Sequence, residues 1–312
     1  MALHRLLGFR AAVPDPAVVG AFYDELGLAG DPVRGWSGSA GGGTVRLDEG
    51  DFRRPLSVEI GCDDQRDLDT IAARLAEAGA GVDRSAGGLR VIDQSTHVQF
   101  GVSVAARHAI EPRVDPPEPN APGRVTRRDA RAPAVFDQPR PPRRLGHLVL
   151  GTPDIAATRD LLVEGLGCKV SDELPGIIAF LRCSPDHHNI ALVDSPVPLL
   201  QHYSWECDDV DHVGHAATAL LRVDAERHAW GLGRHFAGSN YYWYLRDPAG
   251  SFLELYSDMD RIDDDDAWEE RGRTPFDFVH IANSWGPDIP LEFIEPRDLE
   301  HLQQGWARAR GA

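Results

Sequence analysis

Four cysteines in 312 residues, Cys62, Cys168, Cys183 and Cys207, are too few and too scattered for a disulfide framework, and no CxxC pair occurs. They read as buried thiols, and a cytoplasmic location is expected from a reducing compartment. No apolar run approaches the ~20 residues of a membrane span. The opening MALHRLLGFRAAVPDP lacks the apolar core and small-residue cleavage site of a secretory signal. Positive charge is in deficit: 32 Lys and Arg face 49 Asp and Glu, a formal net charge of −17. That field repels phosphate backbones and does not favour an anionic bilayer surface, so nucleic acid and membrane are not expected partners. The glycine-rich SAGGGTV (39–45) lacks the GxxxxGK[ST] pattern of a phosphate loop and reads as a flexible turn.

What is present is material for a substantial core. Hydrophobic residues make up 42% of the chain, and the length suggests roughly two domains. The sharpest break in composition is EPRVDPPEPNAPGRVTRRDARAPAVFDQPRPPRR (111–144), rich in proline and arginine and without apolar periodicity. It reads as an extended linker on a surface. The expected division is an N-terminal domain over 1–110, the linker over 111–144, a second domain over 145–258 and a tail over 259–312.

The two halves repeat each other. FRAAVPDPAVVGAFYDELGL (9–28) parallels LVLGTPDIAATRDLLVEGLG (148–167), each a short strand, a Pro-Asp turn and an amphipathic helix. CDDQRDLDTIAARLAEAGA (62–80) parallels CDDVDHVGHAATALLRVDA (207–225), again an acidic cap leading into a helix. Leu68, Ile71 and Leu75 in one, and Val213, Ala217, Leu220 and Leu221 in the other, recur at helical spacing. The unit is strand–helix–strands, used twice per domain and four times in all. The predicted fold is α+β, two similar domains each made of paired βαβββ modules. After 258 the repeat stops: MDRIDDDDAWEERGR reads as a solvated acidic stretch, and FDFVHIANSWGPDIPLEFIEP as an irregular tail over a domain or a neighbouring subunit.

Only the second half carries the polar side chains of a reactive site. His147 lies in the strand RRLGHLVLGTPD, His202 in LLQHYSWEC with Ser204 and Glu206 on its face, and Glu254 in YYWYLRDPAGSFLELYS with Phe252 and Tyr256. That last segment reads as a hairpin around Asp-Pro-Ala-Gly. A lone strand histidine is more often structural than a ligand, and Glu254 alone could be the partner of an arginine. The argument rests on three core-directed strands each presenting one ligand type. Two imidazoles and one carboxylate with open positions favour non-haem Fe(II), with Mn(II) as the alternative. The first half is an internal control. Leu7 or Gly8 aligns with His147, Pro55 or Ser57 with His202, and Gln99 or Phe100 with Glu254, and none of these choices makes a metal triad.

GHLVL, DHHNIAL, QHYSWEC and GRHFAGSNYYWYLRDPAGSFLELYS resemble the motifs of type I extradiol ring-cleavage dioxygenases, members of the vicinal oxygen chelate superfamily. The most diagnostic is the last: His235, Tyr244 nine residues on, Asp247-Pro248 three further, and Glu254 ten after Tyr244. The tail and HYSWEC are similar to those of trihydroxytoluene oxygenase-like members. The resemblance implies the vicinal oxygen chelate fold, with iron on His147, His202 and Glu254. It makes His188 the acid–base histidine, and His235 and Tyr244 catalytic and substrate-binding groups at the hydroxyls of a catechol that is cleaved with O2. The spacing from His188 to His202, 14 residues, is one shorter than the family pattern. A homo-oligomer is expected. The alternative within the superfamily is a non-redox protein, a glyoxalase-type isomerase or lyase or a ligand-sequestering protein. Read as a strand, CSPDHHNIALV (183–193) turns His187 away from His188 and gives it to the turn or the surface. His212, His215 and His228, in or beside the helix at 209–227, read as solvated.

Overall fold

The computed structural model describes residues 2–112, 119–273 and 283–311. The first module runs β1 (Leu3–Val13), α1 (Pro16–Glu25), β2 (Ala29–Asp31), β3 (Gly35–Ser37) and β4 (Thr44–Glu49). The second runs β5 (Arg54–Cys62), α2 (Gln65–Glu77), β6 (Val82–Ser85), β7 (Gly88–Ile92) and β8 (Gln99–Val104). The third is β9 (Arg144–Thr152), α3 (Ile155–Asp160) with a wider turn over Leu161–Leu166, β10 (Lys169–Leu174), β11 (Ile178–Arg182) and β12 (Ile190–Asp194). The fourth is β13 (Leu199–Glu206), α4 (Val210–Val223), β14 (His228–Arg234), β15 (Tyr241–Arg246) and β16 (Phe252–Ser257).

Each helix starts where the sequence supplies an aspartate cap. Asp15 accepts from the Ala17 and Val18 amides, Asp64 from Arg66 and Asp67, Asp154 from Ala157 and Asp209 from His212. These caps satisfy amides that have no partner within the helix. The buried stripes Leu68, Ile71, Leu75 and Val213, Ala217, Leu220 then hold α2 and α4 on their sheets.

The modules pair into two eight-stranded sheets of one topology, β2-β3-β4-β1-β5-β8-β7-β6 and β10-β11-β12-β9-β13-β16-β15-β14. In each, the two central strands are antiparallel, and each of them has a parallel neighbour from the end of its own module. The sheets share one apolar core, in which Phe9 meets Tyr203 with ring centroids 5.5 Å apart. The ladders also correct the alignment of the repeats. Gly8 pairs with Glu59 and Glu59 with Gly101, as His147 pairs with Ser204 and Ser204 with Glu254. Glu254 therefore corresponds to Gly101, not to Gln99 or Phe100, because the segments between the paired strands, Glu59 to Gly101 and Ser204 to Glu254, differ in length.

Three further readings change. His212 is fully buried, accepting from the Asp208 amide at Nδ1 and donating to the Arg140 carbonyl from Nε2, and His215 reaches the Ala134 carbonyl. Both pin the linker to α4 instead of facing water. The acidic stretch after 258 is a strap: Asp265 pairs with Lys169 and Arg182, Ile262 is buried, and Trp268 donates to the Ser171 carbonyl at 2.9 Å. The tail is helical over Leu299–Gly311, where Leu302 and Trp306 pack on Phe52, Val197 and Leu199. Just before it, Arg53 forks onto Asp298 at 2.7 and 2.8 Å. Residues 274–282, with all of FDFVHIA, lie outside the described residues. Among the described residues no helix is long and apolar enough to cross a membrane.

Candidate metal centre

His147, His202 and Glu254 come from β9, β13 and β16, three adjacent strands. Ser204 stands opposite both His147 and Glu254 across the ladders, so these residues share one row, and His202, two residues before Ser204 on the same strand, lies on the same face. Gly146 leaves room for Tyr256, since a Cβ at that position would collide with the Tyr256 hydroxyl. All three candidate ligands are buried, and one donor atom from each lies within 4.8 Å of the others. His147 Nε2 is 2.8 Å and His202 Nε2 3.6 Å from Glu254 Oε2. Among the described residues this is the only such cluster.

The donor set fits a divalent ion. An ionised carboxylate with no accessible surface is costly without a counter-charge, and imidazoles, Ser204, Asn240 and Tyr244 stand near it without a lysine or arginine. Ser204 donates to Glu254 Oε2 at 2.6 Å and Asn240 to Oε1 at 3.1 Å. Two nitrogens and one oxygen, without thiolate, are the pattern of a facial site with open positions. The outer shell supports the same tautomer. Gln201 donates its amide to the Phe293 carbonyl at 3.0 Å, which turns its oxygen to His202 Nδ1. His202 therefore donates from Nδ1 and presents a bare Nε2 to the cluster. His147 Nδ1 is buried without a protein partner.

A cavity of about 360 Å³ opens from this cluster. Val149, Phe180, Val193, Leu199, Trp230 and Phe293 form much of its wall, and Asp194 stands at its exposed rim. No lysine or arginine is among the described lining residues. His188, His235 and Tyr244 are the polar groups beside the cluster. The His188 ring tilts against His147 with centroids 4.2 Å apart. His235 Nε2 lies 2.9 Å from the Tyr244 hydroxyl and 3.6 Å from Glu254 Oε1. The six residues singled out from the sequence thus meet at one end of one cavity.

Burial dominates the electrostatics here. It would raise Glu254, but His147, His235 and His202 outweigh it and hold the carboxyl well below its ordinary value. Burial lowers His202 to about 3. Burial, helped by His147 and His187, keeps His188 well below the ordinary imidazole value. Tyr244 is raised well above its ordinary value by burial and then by Glu254.

One expectation fails. His187 does not turn to the surface: it is fully buried, its Nδ1 is 3.0 Å from His188 Nδ1, and its Nε2 is 2.9 Å from Asp172. The strand β12 begins only at Ile190, and residues 183–189 are irregular, so strand alternation does not apply to the doublet. Sequence reasoning also passed over Gln201, Asn240, Asp172 and Phe293. Gln201 was visible as a polar neighbour of His202, and Asn240 as a polar residue at the mouth of an aromatic strand. Asp172 and Phe293 left no local signal.

Comparison with known proteins finds relatives of the segment that carries this cluster. Residues 144–255 match the model of the Glyoxalase/Bleomycin resistance protein/Dioxygenase superfamily. This segment is a domain of that superfamily. The superfamily domain contains all six site residues. Metapyrocatechase 2 of Cupriavidus necator is 37% identical over 155 residues, covering 49% of this chain and 47% of its own. The iron-dependent extradiol dioxygenase of Rhodococcus jostii is 27% identical over 162 residues, covering 47% of this chain and 51% of its own. The chain therefore spans about half the length of these curated relatives. The Mn(II)-bound glyoxalase of Novosphingobium aromaticivorans superposes with a TM-score of 0.72 at 23% identity, covering 93% of both chains. The two-domain architecture is the vicinal oxygen chelate fold, α+β with four βαβββ modules.

Proposed function

We propose that the protein is an Fe(II)-dependent extradiol dioxygenase that opens the ring of a catechol with O2, with Mn(II) as the alternative ion. The observation that carries this is the convergence of two imidazoles and one buried carboxylate at the end of an apolar cavity, with His188, His235 and Tyr244 beside them. In this reading His147, His202 and Glu254 hold the metal. Residues 145–258 form the catalytic domain, 1–110 its non-catalytic counterpart, 111–144 the linker and 259–312 a tail whose Phe293 closes the cavity. Iron, when bound, supplies Lewis acidity toward the diol and electron density toward O2.

The chain's own groups do the rest. Tyr244 and His235, hydrogen-bonded to each other, address the diol oxygens. His188, held neutral by burial, stands on the side of His147 and can take up or return a proton. The apolar wall excludes water. With no cation among its described lining and Asp194 at its rim, the cavity suits an uncharged catechol bearing an apolar substituent and disfavours a carboxylated one. Four buried free thiols support a reducing, cytoplasmic setting. Exposed Trp285, Leu291 and Ile294 support self-association into a homo-oligomer.

A glyoxalase-type isomerase, lyase or sequestering protein could use the same fold, but sequestration has no need of three acid–base groups around the cluster. The test is oxygen uptake by anaerobically iron-loaded protein on a panel of alkyl-, aryl- and carboxy-substituted catechols. We expect one O2 consumed per catechol, a yellow ring-opened product, and preference for the uncharged substrates. A protein that holds its iron yet consumes no oxygen with any of them would overturn the reading.

A further inference from the structure

Asp172, His187 and His188 form a hydrogen-bonded line from β10 to the cavity. Asp172 Oδ2 lies 2.9 Å from His187 Nε2, and His187 Nδ1 lies 3.0 Å from His188 Nδ1. His187 is fully buried, and Asp172 and His188 nearly so. The line is held from both ends. Asp172 sits in the β10–β11 ladder opposite Phe180, whose ring packs against both histidines. The His187 amide donates to the Asp260 carbonyl at 2.9 Å, and Trp268 packs edge-on against the His187 ring. Part of the strap after β16 is thus spent on holding a residue that does not itself line the cavity.

The proton positions along the line follow from donor counting. A carboxylate only accepts, so His187 donates from Nε2 to Asp172. A His187 ring carrying that one proton then has its lone pair on Nδ1. Two lone pairs cannot face each other at 3.0 Å, so His188 donates from its own Nδ1. Neutral His188 is left with a bare Nε2, the ring atom not engaged by His187, and its ring lines the cavity. We propose that Asp172 and His187 are positioning residues that lock His188 in the Nδ1–H tautomer and present Nε2 to the substrate as a proton acceptor. Removing His187 leaves both tautomers of His188 open and lets the ring rotate, while the cluster of His147, His202 and Glu254 keeps all its own contacts.

The proposal rests on the functional reading only for the word substrate, and it is tested first without turnover. In the full chain loaded with Zn(II), a diamagnetic ion, long-range ¹⁵N–¹H correlation of ¹⁵N-histidine protein should show His188 with a protonated Nδ1 and an unprotonated Nε2. The His187→Gln and His188→Gln variants assign the signals. The opposite tautomer at His188 would overturn the proposal. The second arm is kinetic, on iron-loaded enzyme. His187→Leu should lose roughly 10–100-fold in kcat, the size typical of outer-shell partners, with metal content and KM unchanged. His187→Gln, whose side-chain oxygen can accept from His188 Nδ1, should recover most of that loss. Equal kcat in the two variants, or a loss carried by KM or metal content, would also overturn it. Absence of oxygenase activity in the wild type would sink the functional reading and leave the tautomer result standing.

Discussion

Glu254→Gln separates the metal's contribution from that of the fold. The two side chains have nearly the same shape, so the change removes a charge and a ligand without opening a cavity. Without metal, the carboxylate accepts from Ser204 at 2.6 Å and Asn240 at 3.1 Å. Hydrogen bonds to a charged group contribute ~1.5–3 kcal/mol and neutral ones ~0.5–1.5, so two weakened bonds cost about 2–3 kcal/mol. The imidazoles of His147, His235 and His202, which hold the carboxyl ionised, lose their counter-charge as well. The chelated variant should therefore melt several degrees below chelated wild type, and the metal effect is read as the rise within each protein. Metal changes the comparison. An ion held only by the folded state stabilises it by about 2.7 kcal/mol at 100 times its Kd. With ~2–4 °C per kcal/mol for chains of about this size, that is a rise of roughly 5–10 °C. The assay is scanning calorimetry under anaerobic conditions, with chelator and with Fe(II) or Mn(II), with bound metal counted by elemental analysis. Wild type should show the rise and Glu254→Gln should show little or none. An undiminished rise in the variant would refute the assignment of Glu254 as a ligand.

Asp247, in the turn between β15 and β16, accepts from the Tyr203 hydroxyl and the Ala249 and Ser251 amides, and burial pushes its pKa up to about 6. Because the folded value lies above the unfolded one, its stabilisation is complete below the unfolded pKa and is lost as pH rises through the folded one. From pH 7 to pH 5 wild type should gain about 1 kcal/mol relative to Asp247→Asn, read from urea melts at both pH values; parallel responses would contradict it. His188→Ala should keep its metal and lose roughly 10²–10⁴ in kcat, while Tyr244→Phe loses less, since only one hydrogen bond to the bound diol is deleted. Metal analysis beside steady-state kinetics decides this, and loss of the metal from His188→Ala would place that residue in the metal's own shell.

Much of the architecture is local enough to be written in the chain. Aspartate caps, apolar stripes at helical spacing and the recurrence of strand–helix–strands each depend on residues a few positions apart, so the four modules could be read before their arrangement was known. The candidate ligands were legible for the same reason. His147, His202 and Glu254 each stand in a strand whose alternation turns them inward, and the parallel and antiparallel pairings of β9, β13 and β16 leave them no choice but to meet. Alternation lost its force where the strand ended. Residues 183–189 are irregular, so only the tertiary structure decided that His187 faces His188 and Asp172, fifteen residues earlier on another strand. Long-range contacts decided the remainder. The tail helix docks because Leu302 and Trp306 find an apolar surface made by Phe52, Val197 and Leu199. His212 is buried because the linker brings the Arg140 carbonyl to it. A hydrogen bond across seventy residues of sequence leaves no periodic trace, since its partner is chosen by how the sheets and straps pack and not by what stands beside it in the chain.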